Sequence, residues 1–191
     1  NFMDGINGIT GGYSLSVLAP LAIVNSKVDA VDQHMIYALV IGVLVFCFFN
    51  FRKNAKCFAG DVGAVTIAYA TIFIVFSMII KTQDILWIMF LVVYGVDTVL
   101  TIIHRMILKE NIFKAHRKHM FQLLANELQF PHVAVSGIYM FIQLLVSLGL
   151  IYLPVNKWIY SIITIIVLCA VYILLKKKYY HLHEEYFLFL L

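Results

Sequence analysis

Charge is what this sequence has least of. Only 13% of its 191 residues are charged, 63% are hydrophobic and the mean hydropathy is +0.94. So little charge cannot clothe a soluble domain, which excludes that class. Proline is also scarce, with Pro20, Pro131 and Pro154 the only three, and apolar runs of about 17 to 22 residues continue unbroken, the length a helix needs to cross hydrocarbon. The runs lack the strict alternation of barrel strands. Cysteine excludes little by its number and more by its spacing. Cys47 and Cys169 lie in apolar runs and Cys57 in a basic loop, with no CxxC pair, so reduced thiols are expected rather than a disulfide framework. No Gly-Lys-Ser/Thr follows the N-terminal glycines, which excludes a Walker loop. The basic residues form short clusters rather than one stripe interleaved with aromatics, which argues against nucleic acid as a partner. No signal peptide is visible, and a chain opening on Asn1 is expected to be the C-terminal part of a longer protein.

What remains is an all-α, polytopic transmembrane bundle with functional loops. A single membrane domain over residues 1–191 is expected, with spans near 13–24, 33–49, 62–80, 85–103, 132–153 and 158–175. Arg52, Lys53, Lys56, Arg105, Lys109, Lys114, Arg117, Lys118 and Lys176 to Lys178 fall on one side, against Lys27, Lys81 and Lys157 on the other. The positive-inside rule places the first group, and both chain ends, in the cytoplasm. Asp4, Asp61, His116 and His119 would then meet at the cytoplasmic face.

The stretch Arg52–Val65 carries the densest chemistry. Asp61 sits where a loop turns into a membrane helix, a costly place for an unneutralised carboxylate. It reads either as a metal or phosphate ligand or as a cap for the helix that follows. Gly60 and Gly63 permit close approach of a ligand, and Lys56 offers a counter-charge. Two carboxylates, two histidines and several cations on one face point to a Mg²⁺-dependent site for a phosphorylated substrate. Asp97 lies seven residues before His104, on one helical face, and reads equally as a functional acid or a packed structural one. His34 and His132, at span ends, read as interfacial residues. His181 and His183 read as solvated or lipid-facing. Tyr152, Trp158, Tyr160, Tyr179 and Tyr180 read as interfacial belts.

Three segments taken together, Asn1-Phe-Met-Asp-Gly-Ile-Asn-Gly-Ile9, Phe58-Ala-Gly-Asp-Val-Gly63 and Ala115-His-Arg-Lys-His-Met-Phe-Gln122, resemble the polyprenyl-phosphate N-acetylhexosamine-1-phosphate transferases. With Val96-Asp-Thr-Val-Leu-Thr101 they look most like the GlcNAc-1-phosphate branch. The resemblance implies transfer of a sugar-1-phosphate from a UDP-N-acetylhexosamine to undecaprenyl phosphate with release of UMP, initiating cell-wall or surface-polysaccharide lipids at the bacterial inner membrane. It implies Mg²⁺, with Mn²⁺ as a substitute, and leaves a homodimer open. Asp61 matches the family's metal-binding aspartate and Phe58 an aromatic that stacks on uracil. Asp4 matches a carboxylate of the donor and metal region, with Asn1 and Asn7 beside it as substrate-binding positions. His116, Arg117 and His119 match the histidine motif at the diphosphate and sugar. The family's Asp-Asp pair is absent from this sequence, so these 191 residues alone are expected to be inactive. Two other classes stay open: a transporter or channel component using Asp97, and a noncatalytic membrane scaffold.

Overall fold

The structure, a computed structural model, describes residues 4–114 and 116–189, with side chains described as far as Tyr180. The described residues form helices α1 (Ile9–Val28), α2 (Gln33–Asn50), α3 (Gly60–Thr82), α4 (Val92–Ile107), α5 (Met120–Gln122), α6 (His132–Tyr152) and α7 (Lys157–Phe189), with no strand among them. Six segments are long and apolar enough to cross a membrane, the fourth combining a 3-10 turn, Ile85–Leu91, with α4.

α1 is the central element, buried along most of its length and packed against α2, α3 and α6. Small residues allow this. Gly8, at φ 84°, and Gly12 both lie against the Phe51 ring; a Cβ at Gly8 would meet that ring at 2.6 Å in a left-handed conformation that side chains rarely adopt. At the far end Asn25 folds the chain back. Its Oδ1 accepts the Ala30 and Val31 N–H groups at 3.0 and 3.1 Å, and its Nδ2 donates to Val31 O and Gln33 Oε1. Asp32 then caps α2 by accepting the His34 N–H at 2.8 Å.

α3 begins at Gly60, earlier than the expected residue 62, so Asp61 lies inside its first turn. The N-cap position falls to Ala59 and makes no side-chain bond, which removes the capping reading of Asp61. α7 likewise continues past the expected end at residue 175, through Lys176–Lys178 to Phe189.

The fourth span is broken in a way the apolar run does not announce. Where the 3-10 turn hands over to α4, Val93 N donates to Gln143 Oε1 at 3.1 Å and Tyr94 N to Tyr13 Oη at 3.2 Å, while Met89 O accepts from Gln143 Nε2 at 3.1 Å. Irregular backbone at membrane depth persists only where other groups satisfy it. Gln143 on α6 and Tyr13 on α1 do so here, bonded to each other at 2.7 Å. The Tyr13 and Tyr94 rings stack with centroids 3.4 Å apart.

Candidate functional site

The chemistry-bearing segments gather at the end of the bundle where α1, α3 and α6 begin. Asn7 joins them. Its Nδ2 donates to the carbonyls of Arg52 and Lys53, each at 3.1 Å, its N–H reaches His132 Nδ1 at 3.5 Å, and its carbonyl accepts from Ser136 Oγ at 2.7 Å. Asn50 continues the joint, accepting the Gly8 N–H at 2.7 Å and donating to Cys57 O at 2.8 Å. An amide is required at position 7, because a carboxylate would aim acceptors at two carbonyls. His132, read from the sequence as interfacial, is part of this joint.

The loop so held presents Lys56 and Phe58 outward, Phe58 at 73% exposure. Asp61 is exposed in the first turn of α3, at the positive end of the helix dipole. Ala64, Ala68 and Thr71 follow it along the same helical face. These three residues wall an apolar groove of about 390 Å³, closed on its other sides by Tyr13 and Val17 of α1 and Tyr94 and Thr98 of α4. Asp4 lines the same groove, its Oδ1 accepting from Thr10 Oγ1 at 2.6 Å. The trough thus ends at Asp4, and Asp61 lies one helical turn before its wall residue Ala64 on the same face of α3.

The histidine segment is held from beneath by α4. Asp97, 2% exposed, accepts the Met120 N–H at 3.0 Å and the Thr101 hydroxyl at 3.2 Å on Oδ1, which also lies 3.3 Å from His119 Nδ1; Tyr139 Oη donates to Oδ2 at 2.6 Å. Both oxygens are engaged, and Asp97 acts as the anchor of α5. His119, also 2% exposed, faces inward beside it, with Gln122 Oε1 accepting its N–H at 3.3 Å. Arg105, two turns further along α4 and 3% exposed, donates to the carbonyls of Asn111, Ile112 and Lys114 and to Glu110. Lys118 bonds the other Glu110 oxygen.

These contacts set the charges of the loop. Burial alone would raise Glu110, but the hydrogen bonds from Lys118 and Arg105 outweigh it and hold the carboxyl below its usual range. Burial would lower Lys118, yet its bond to Glu110 raises it. Burial, reinforced by the Arg105 charge, pulls His116 from 6.5 down to about 4. His116 is therefore a neutral imidazole at physiological pH, half-buried, with its ring 5.0 Å from that of His119. Arg117 beside it is exposed. Asn1 lies outside the described residues.

The described residues hold no cluster of three His, Cys, Asp or Glu that would bind a metal by themselves. Mg²⁺ does not require one, since it takes one or two carboxylates and completes its shell with water and substrate phosphates. Asp4, which lines the groove, and Asp61, one helical turn before its wall residue Ala64, are the carboxylates at this end that could supply such ligands.

Arg105 was legible in the sequence only as a basic residue favouring the cytoplasmic side. The usable signal was the four-residue spacing Asp97–Thr101–Arg105, which puts three polar residues on one buried stripe of an otherwise apolar helix. His104 lies beside that stripe, its ring edge-on to Tyr180 at 4.6 Å. The 104–131 connection also hides a packed element: α5 and the π-helical turn Leu123–Glu127 bury Met120, Phe121, Leu123 and Ala125.

No curated protein and no solved structure matches the chain. Residues 1–81, which span α1, α2 and nearly all of α3 and carry Asp4, Asn7, Phe58 and Asp61, match the family model of glycosyl transferase family 4, and it is to that family that this part of the chain is similar.

Proposed function

We propose that the chain is the groove-bearing part of a transferase that moves a sugar-1-phosphate, GlcNAc-1-phosphate by resemblance, from a UDP-sugar to undecaprenyl phosphate. One observation carries this reading: the apolar trough between α1, α3 and α4 ends at a carboxylate, Asp4, rather than at an apolar plug, and Asp61 lies one helical turn before its wall residue Ala64. The trough would take the isoprene units nearest the phosphate of a polyprenyl chain, with the phosphate at the Asp4 end. The family match over residues 1–81 supports the class of reaction.

The acceptor phosphate oxygen must attack the donor's β-phosphorus and expel UMP, although both partners are anionic. Mg²⁺, held by Asp61 and Asp4, would neutralise phosphate charge in that step. Phe58, exposed three residues before Asp61, supplies a face for the uracil, and Lys56 and Arg117 add cations around the mouth. His116, neutral and at the loop surface, can hydrogen-bond the diphosphate without adding a permanent charge. His119 and Asp97 act behind it as positioning residues. The mouth faces the cytoplasm in this reading, because the basic loops lie on the same end.

Filling the trough tests the assignment. In an enzyme completed by co-expression with the N-terminal half of a family relative, Ala68→Trp should lower kcat/KM for the lipid acceptor by about tenfold, ~1.4 kcal/mol, while UDP-sugar binding is unchanged. Unaltered acceptor kinetics would remove the trough from the reaction.

A further inference from the structure

A second groove, of about 550 Å³, lies between α4 and α7, away from the first. Its walls are apolar, formed by Leu100, Ile103 and Ile107 of α4 and Ile173 of α7, and its end is cationic, formed by Lys176 and Lys177. The isoleucines face outward from the bundle, Ile107 at 72% exposure. Lys176 is unusual among them. Only 6% exposed, it donates to Tyr172 Oη at 2.7 Å and to Lys118 O at 3.1 Å, and no carboxylate of the described residues lies within ion-pair distance of it. The Tyr172 and Tyr180 rings lie 5.0 and 5.7 Å from its Nζ, so neutral oxygens and ring faces surround a buried ammonium that has no counter-charge at ion-pair distance.

The shape and the charge order match one ligand chemistry. Apolar walls at the depth of the hydrocarbon, capped by lysines at the end of a membrane-spanning helix, suit an acyl chain below a phosphate, and basic pockets between transmembrane helices on the cytoplasmic side bind anionic headgroups. We propose that the α4–α7 groove is a site for an anionic phospholipid, with its phosphate at Lys176 and Lys177 and an acyl chain along Ile103, Ile107 and Ile173. The site reaches the histidine segment directly. Lys176 holds Lys118 O, and Lys118 in turn bonds Glu110, which Arg105 also holds. A bound phosphate that fixes the Lys176 ammonium thereby fixes residues 110–118, making lipid composition a control on loop order.

The test uses the purified 191-residue chain in neutral detergent, with retained lipid read by native mass spectrometry and loop order by hydrogen exchange. Phosphatidylglycerol should be retained at least fivefold more than phosphatidylcholine and should slow exchange in residues 110–118. Lys177→Gln and Ile103→Trp, both on the exposed lining, should each reduce retention severalfold without unfolding the chain; Lys176→Met should abolish the effect on exchange. Equal retention of the two lipids, or retention indifferent to both lining variants, would overturn the proposal. So would equal protection by inorganic phosphate alone, which would indicate a free-anion site. Efficient disulfide cross-linking of Ile103→Cys between two chains, with no bound lipid, would assign the groove to a second copy instead and overturn it too.

Discussion

Asp97 Oδ1 and the Met120 backbone N–H, 23 positions apart, meet at 3.0 Å in the interior of the bundle. That bond ties the middle of a membrane helix to the start of α5, and through it fixes where the His116–His119 segment can lie. A carboxylate suits this place because it accepts from several donors at once, here a backbone amide and two hydroxyls, with the His119 ring alongside.

Asp97→Asn keeps the volume and removes one acceptor and the charge. With its NH₂ toward Tyr139 the hydroxyl could accept but would lose its own acceptor, and with NH₂ toward the Met120 N–H two donors would meet, so either orientation leaves a donor of the network unpaired. A loss of about 2–4 kcal/mol is expected. Thermal unfolding in detergent measures it, and hydrogen exchange should accelerate in residues 116–122. Tyr139→Phe, which removes a single bond, should cost less.

Arg105→Lys retains the charge and loses the fork. A planar guanidinium serves three carbonyls and Glu110 together, whereas an ammonium has three donors on one atom. Limited proteolysis should cut within residues 108–118 at least several times faster in the variant, with the helices intact by circular dichroism. Unchanged cleavage would mean that the loop is held by something other than Arg105.

His116 should titrate near pH 4 rather than near 6.5. The sign follows from proton counts: between these values the unfolded chain binds a proton that the folded one does not. Folding stability from this group therefore rises with pH across that window and is level above it. Histidine-selective NMR in detergent, assigned with His116→Gln, reads the midpoint. A value at or above 6.5 would contradict the neutral imidazole on which its proposed role depends.

The spans were legible because each is a long apolar run between polar connections, and length against hydrocarbon thickness leaves few choices. The joint at Asn7 was less so. The sequence shows a glycine-rich turn and a basic loop, and nothing local states that one amide closes on the other. The break at Leu91–Val92 carries no proline or glycine; it exists because Tyr13 and Gln143, from helices distant in sequence, take up the freed backbone groups. Lys176 gave no sign of its burial. It is one of three consecutive lysines counted alike for sidedness, and helical rotation turns it inward while Lys177 and Lys178 stay exposed. Asp4 and Asp61 could be placed at one end from charge sidedness alone, whereas the trough that Asp4 lines required the packing of α1, α3 and α4.

Transfer of radiolabelled sugar phosphate into lipid, comparing the wild-type chain with Asp61→Asn, tests the central claim most directly. The chain alone should be inactive, since the resemblance assigns the reaction an Asp-Asp pair that this sequence lacks. Co-expressed with the N-terminal half of a family relative, the wild-type chain should restore UDP-sugar- and Mg²⁺-dependent labelling. Asp61→Asn in the same pairing should reduce it by at least about a hundredfold, ~2.7 kcal/mol or more, at equal membrane insertion. Undiminished labelling by Asp61→Asn would contradict the account, because the carboxylate assigned to the metal would then have no part in the chemistry.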